Sequence, residues 1–146
     1  MSSFSSNSCK IVISSSKKYD IKVGEYARNH YIKPFKKKYK NVWDTTWIFV
    51  EIVSSQIYKY FDNSIACKIF EIEWKYIAKC EFSIAWSNKS HKKSWNRFII
   101  FVDEELLETT ILLVYSKTDI KWTNETSWWK NEIKNNYKDV YKIFNY

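Results

Sequence analysis

The sequence predicts an α+β domain, an antiparallel sheet of four to five strands packed against helices in the order β-α-α-β-β-β-β-α. Three observations carry this. Residues 98–102 (Phe, Ile, Ile, Phe, Val) and 111–115 (Ile, Leu, Leu, Val, Tyr) are two apolar runs joined by a short acidic connector. They are rich in the β-branched and aromatic residues that suit a pleated surface, and they read as a hairpin. Neither run alternates, so both belong in the middle of a sheet, with helix over at least part of its second face. The second observation is helical spacing: Trp47, Val50, Val53, Ile57 and Phe61 in one segment, and Trp129, Ile133, Tyr137, Val140 and Phe144 in another. The third is the strict alternation of residues 66–76, expected of a half-exposed, peripheral strand.

At 146 residues the chain is long enough for one domain with its own core, assigned to residues 10–146 behind a small, polar tail at 1–9. The formal charge is +8, and residues 1–42 carry all of it: ten Lys or Arg stand there against Asp20 and Glu25, while residues 43–146 balance. Concentrated positive charge has two readings, a solvated basic face or a site for a polyanion such as RNA, held through phosphate neutralisation and counterion release. Cys9, Cys67 and Cys80 form no CxxC and have no His at zinc spacing, so they read as thiols in a reducing compartment. With no signal-peptide core and no apolar span of membrane length, the expectation is a soluble, cytoplasmic protein with no membrane partner.

In chain order, two strand-like pieces at residues 10–14 and 19–23 precede Gly24, the only glycine, expected to supply a positive φ or a bulge. Pro34, the only proline, suits the first turn of a short basic helix, with Phe35 and Tyr39 as its buried stripe. Asp44 is a plausible N-cap for a second helix reaching about Phe61. WIFVEIV alone has strand propensity, but the segment runs on without a breaker to Asp62, which favours helix. After the strand at 66–76 a shorter one spans 81–86, and the polar loop SNKSHKKSWN leads to Arg97. Beyond the hairpin, Thr123 or Asn124 caps a last helix with Glu125 near its positive end.

Only the ends of the central strands are free for chemistry. Arg97 begins one strand and Lys117 follows the other, so an antiparallel pair sets them at the same end of the sheet. The loop adds Lys89, His91, Lys92 and Lys93, with no acidic residue between Phe82 and Val102. Trp95 in this loop is either a lid over the hairpin or a ring on which a base stacks. Lys36, Lys37 and Lys38 form the other basic cluster. Asp62, Glu73 and Lys75 match the residue types of metal-dependent PD-(D/E)xK nucleases, but one extended strand would hold Asp62 too far from Glu73 to share a metal. Glu71 and Glu73 read as a solvated strand face, and His30 has no catalytic partner at a recognisable spacing. No metal and no cofactor are expected.

The element order, FKKKYKN from Phe35, NRFIIFVDEE from Asn96 and ILLVYSKT from Ile111 resemble the RelE/ParE superfamily of toxins from toxin-antitoxin systems, the HigB-like branch most of all. The resemblance spans roughly residues 10–140. It implies a metal-independent endoribonuclease acting on mRNA, ribosome-bound in some members, and neutralised by an antitoxin over its basic face. Residue by residue, Arg97 takes the place of the strand arginine and Lys117 that of the basic residue ending the last strand. Where the family often has Lys or Arg on the preceding strand, this chain has Glu81, Phe82 and Ser83, so Lys79, His91 or Lys93 would have to substitute. That departure leaves a second reading open, a non-catalytic module: a ParE-like toxin directed at a protein or a basic nucleic-acid-binding domain.

Overall fold

The computed structural model describes residues 17–120 and 124–144. The polar tail, the strand-like piece at 10–14, Cys9 and Thr123 lie outside the described residues. Among those described, β1 (Asp20–Val23), β2 (Ala66–Ile72), β3 (Lys75–Phe82), β4 (Asn96–Asp103) and β5 (Glu108–Ser116) form one sheet in the order β1-β5-β4-β3-β2. All neighbours are antiparallel except β1, which runs parallel to β5. The predicted α+β architecture is therefore the one observed.

The hairpin of β4 and β5 is the centre of the sheet, and helices cover both of its faces. Between β1 and β2 the chain is helical almost throughout: α1 (Glu25–Ala27), a π turn (Arg28–Ile32), α2 (Lys33–Tyr39), a 3-10 turn (Lys40–Val42) and α3 (Trp43–Ser55). Phe35, Trp43, Val50 and Val53 from this segment pack on Ala78, Phe82, Phe98 and Ile100 on one face. After β5, α4 (Glu125–Asn136) and α5 (Lys138–Phe144) bring Trp129, Ile133 and Phe144 onto Ile77, Ile99 and Leu113 on the other. Covering on both faces explains why the two central strands read as unbroken apolar runs. A bulge sharpens the effect in β5. Ile99 faces Leu113 but Ile100 faces Ile111, so Leu112 is an extra residue and both leucines turn to the α4 side.

Several boundaries differ from the sequence reading. Residues 66–76 are not one strand: the chain reverses at Glu73 and Trp74, pairing Ile72 with Lys75, and Glu73 takes a φ of 53° in a turn that lacks Gly, Asn or Pro. The strand expected at 81–86 is the end of β3, which stops at Phe82. Asp44 lies in the first turn of α3 rather than at its cap, and α3 ends at Ser55 because Gln56 leaves helical geometry (φ −134°, ψ 40°). Helix begins before Pro34, and the π turn directly upstream is where a proline without an N–H is accommodated. The last helix is capped as expected by Asn124, whose side chain accepts from the N–H groups of Thr126 and Ser127, but it breaks at Tyr137.

Gly24 has a φ of −62°, so it supplies no positive φ. It supplies room: a Cβ there would collide with the Tyr137 ring and hydroxyl. That hydroxyl accepts from the Ala27 N–H (3.0 Å) and donates to the carbonyl of the bulged Leu112 (2.8 Å), tying α1, the α4–α5 break and β5 together.

Tyr137→Phe leaves both backbone groups short of a partner and should cost about 1–3 kcal/mol of stability. Gly24→Ala is normally benign at a negative φ but here meets the phenol, and it should destabilise comparably. Urea unfolding of both variants checks this, and midpoints matching wild type would contradict the role given to Tyr137.

Candidate nucleic-acid interface

The loop between β3 and β4 is built before any ligand arrives. The Ala85 N–H donates to the hydroxyl of Thr46 on α3 (2.8 Å), and Thr46 itself is 1% exposed. The Ser83 N–H donates to Nδ1 of His91 (3.0 Å), whose ring lies flat on Phe49 of α3 with centroids 4.1 Å apart. The Ser94 hydroxyl has the carbonyls of Phe82 and His91 as acceptors and receives the Asn96 N–H. These bonds close the loop over the end of α3 and the start of β4.

Against this loop stands the C-terminal end of α2, and between them is a cleft of about 530 Å³. Lys38 and Tyr39 line one side, Lys89 and Ser94 the other, with Asn96 and Ser116 at the floor. A smaller hollow of about 160 Å³ adjoins it, sharing Lys38, Tyr39 and Ser116 and adding the Asp119 carboxylate. The sequence singled out Lys36–Lys38 and Lys89–Lys93 separately, and the fold brings Lys38 and Lys89 to one cavity. Lys92 and Lys93 are exposed on the same loop. Lys37 is exposed on α2, whereas Lys36 lines a different groove beside Arg28 and Trp47. None of the six has a carboxylate partner among the described residues. The lysines at the opposite end of the sheet are paired: Lys17 with Glu104, Lys22 with Glu108 and Lys75 with Glu105. Unneutralised positive charge therefore accumulates around the cleft.

Arg97 and Lys117 lie at the same end of the sheet, as the hairpin required, but neither lines the cleft. Strand alternation turns Asn96 toward α2 and Arg97 toward α4. There Arg97 is 5% exposed; its Nη1 donates to the Asn96 carbonyl (2.9 Å), and its Nη2 donates to the Lys92 carbonyl (3.3 Å) and lies 3.7 Å from Glu81 Oε2. This corrects the expectation that its side chain reaches the basic edge: the guanidinium anchors the loop from behind. Glu81, which sequence comparison within the resemblance marked as a departure, is the counter-charge that permits a buried arginine. Next to Arg97 on this face, the Tyr115 hydroxyl donates to Glu125 Oε2 (2.5 Å), and Lys117 lies 3.6 Å from Glu125 Oε1. Glu81, Arg97, Tyr115, Glu125 and Lys117 thus form a polar row across the sheet end. Burial and the Glu125 carboxylate push the Tyr115 phenol well above its ordinary pKa, so it stays protonated at neutral pH.

His91 is a structural clip in this geometry. Its Nδ1 accepts the Ser83 N–H, so the neutral ring carries its proton on Nε2, and burial lowers its pKa below the usual histidine value, with the Glu81 charge opposing. Asp62 precedes β2 and Glu73 follows it, so they stand at opposite ends of that strand, and Lys75 is engaged by Glu105 (3.1 Å). Among the described residues no three His, Cys, Asp or Glu side chains cluster as a metal site. No helix among the described residues is long and apolar enough to cross a membrane. Tyr39, expected in the buried stripe of its helix, is half-buried and lines the cleft. Ser94, Asn96 and Ser116 were not singled out from sequence. The signal for the last two was available, since Asn96 opens the strand before Arg97 and Ser116 closes the strand before Lys117.

Two consequences are measurable. Removing Arg97 strands a largely buried Glu81 carboxylate, so Arg97→Ala should destabilise the fold by about 3–5 kcal/mol rather than leave it intact; chemical denaturation showing less than about 1 kcal/mol would contradict the clamp. His91 has its pKa depressed on folding, so its contribution to stability is present above the unfolded value of about 6.5 and is lost as pH falls through the lower folded value. As pH falls from about 6.5 toward the lower folded value, stability of wild type should therefore drop more steeply than stability of His91→Gln, measured by thermal unfolding across pH.

Comparison with known proteins adds no relative: no protein-family model, curated protein or solved structure matches this chain.

Proposed function

We propose that this protein is an RNA-directed toxin of the RelE/ParE kind, which holds single-stranded RNA in the cleft between α2 and the 83–95 loop and cleaves it without a metal. The observation that carries the proposal is the convergence of Lys38 and Lys89, from segments far apart in sequence, on one cavity with no carboxylate in its lining. Two ammonium groups across a cleft suit successive phosphates, and hydroxyl and amide groups from Tyr39, Asn96 and Ser116 offer neutral hydrogen bonds between them.

In metal-free cleavage the ribose 2′-oxygen gives up its proton to water and bonds to the adjacent phosphorus as the bond from phosphorus to the 5′-oxygen breaks, and the 5′-oxygen takes a proton from water, leaving a 2′,3′-cyclic phosphate. Charge builds on the non-bridging oxygens, where fixed cations stabilise it. Lys38 and Lys89 take that role here. Arg97 is a positioning residue, holding the Lys92 carbonyl and hence the loop that carries Lys89. Lys117, on the α4 side, is paired with Glu125 and stands outside the cleft. An antitoxin would cover the same basic face.

A non-catalytic binding module is the second reading, favoured by one observation: His91, the only histidine near the cleft, is engaged by Ser83 and Phe49. Purified protein incubated with single-stranded RNA, beside induced expression in a bacterium with growth and mRNA integrity followed together, separates the two. The toxin reading expects growth arrest and mRNA cleavage that persists in EDTA. Binding without cleavage or toxicity supports the module, and cleavage restored only by magnesium would return attention to Asp62, Glu73 and Lys75.

Binding should weaken steeply with salt. Lys38→Glu with Lys89→Glu should lower affinity about tenfold or more and reduce the log–log salt slope by about one to two, as expected for about 0.7 per phosphate contact on single strands. Lys138→Glu with Lys142→Glu, both exposed on α5, is the charge-matched control. Equal losses in the two proteins would remove the cleft as the RNA site.

A further inference from the structure

We infer that the cleft reads unpaired bases as well as phosphates, through the indole rings of Trp86 and Trp95, which flank it as stacking platforms; this rests on the cleft being an RNA site. Trp86 directly precedes Ser87, and Trp95 sits between Ser94 and Asn96; all three of these neighbours line the cavity. Both rings are displayed outward, Trp86 82% exposed and Trp95 52%. Among the described residues neither indole has a ring partner or a hydrogen bond. Most other described tryptophans are packed: Trp43 stacks on Trp47, Trp128 meets Tyr115 edge to face, and Trp129 is fully buried.

The backbone strengthens the case. Trp86 has a φ of 68° and Trp95 a φ of 63°, a region in which a bulky side chain is strained. Trp86 occupies the third position of a turn closed by the Ser87 N–H and the Ile84 carbonyl, where positive φ calls for Gly or Asn. An indole there is disfavoured by the turn and gains no packing within the protein. It is nonetheless held firmly, because the loop on either side is fixed by Thr46, His91 and Ser94. Trp95 is fixed likewise, its carbonyl accepting the Lys117 N–H at 2.8 Å. Two water-exposed rings on a fixed backbone beside two cations form the arrangement that single-stranded nucleic acid recognises: phosphates on the lysines, bases on the rings. Trp74, also exposed, is a useful contrast. It sits at the far end of the sheet beside Glu73, and its carbonyl receives the Glu104 N–H, in surroundings that repel a polyanion.

The test compares a fluorescently labelled oligouridylate with an abasic ribose-phosphate oligomer of the same length, titrated with wild type, Trp86→Asn, Trp95→Asn and Trp86→Phe at low salt. Wild type should prefer the base-bearing oligomer by about tenfold or more, the effect of one to two stacked bases. Each Asn variant should lose much of that preference yet bind the abasic oligomer as before, and Trp86→Phe should keep most of it. Because Asn suits the turn, Trp86→Asn should melt at or above the wild-type temperature. A lower melting temperature would make Trp86 a packing group and overturn its assignment. Equal wild-type binding to both oligomers, or Asn variants that retain full preference, would overturn stacking while leaving the cleft as a phosphate site. Failure of wild type to bind either oligomer would remove the RNA site and this inference together.

Discussion

The Tyr137 hydroxyl is the joint on which the layers depend. β1 and β5 are neighbours in the sheet but lie at opposite ends of the strand order in sequence, and helices leave them toward opposite faces. Something must hold the start of the first helical segment against the end of the second. The phenol does this with one oxygen, receiving the Ala27 N–H and donating to Leu112, whose carbonyl belongs to the bulged residue of β5. The bulge turns both Leu112 and Leu113 to the α4 face, and the break at Tyr137 lets α5 fold back so that Phe144 reaches Phe70 and Phe101. Gly24 is required because this oxygen occupies the space of its Cβ. The single glycine in the chain is thus spent on a close approach, and every turn needing a positive φ uses another residue.

That economy explains much of what could and could not be read from sequence. The central hairpin was legible because two β-branched runs flank an acidic turn, and Asp103 closes that turn by accepting the N–H groups of Glu105 and Leu106. The cap at Asn124 and the buried stripe of Trp129 and Ile133 were legible for the same reason: the local chemistry is the usual one. The turn at Glu73 and Trp74 was not. It is a two-residue reversal without a turn residue, so the alternation of β2 runs into that of β3 as if the strand were continuous. The clustering of Lys38 with Lys89 lies beyond any local signal, since it depends on how α2 crosses the end of the sheet.

Arg97 shows the limit of reasoning from position alone. Its end of the sheet followed from hairpin geometry, but its face followed from register, and one residue of register decides between cleft and core. On the α4 side a lysine would be a poor replacement. The guanidinium spans two backbone carbonyls and a carboxylate from one plane, whereas a single ammonium offers no such fork. The same geometry makes Glu81 intelligible. At 3.7 Å it makes an ion pair without a hydrogen bond, enough to offset the buried charge while leaving the arginine's donors on the loop.

The distribution of ion pairs then gives the molecule a direction. Asp103, Glu104, Glu105 and Glu108 gather at the turn joining β4 and β5, and Lys17, Lys22 and Lys75 partner three of them. At the opposite end of the same strands, Lys38, Lys89, Lys92 and Lys93 are exposed with no ion pair among the described residues, and Asp119 is the carboxylate in the hollow beside Lys38. The two ends of the sheet therefore differ in sign, and under the proposed function this difference would steer RNA toward the cleft end and away from the acidic turn. Steering of this kind acts over about a Debye length, roughly 8 Å at physiological salt. Charge can bring a nucleic acid to this end, but it cannot choose a register along the chain. That choice falls to groups fixed before binding, and the bonds from Thr46, His91, Ser94 and Arg97 place such groups in the 83–95 loop.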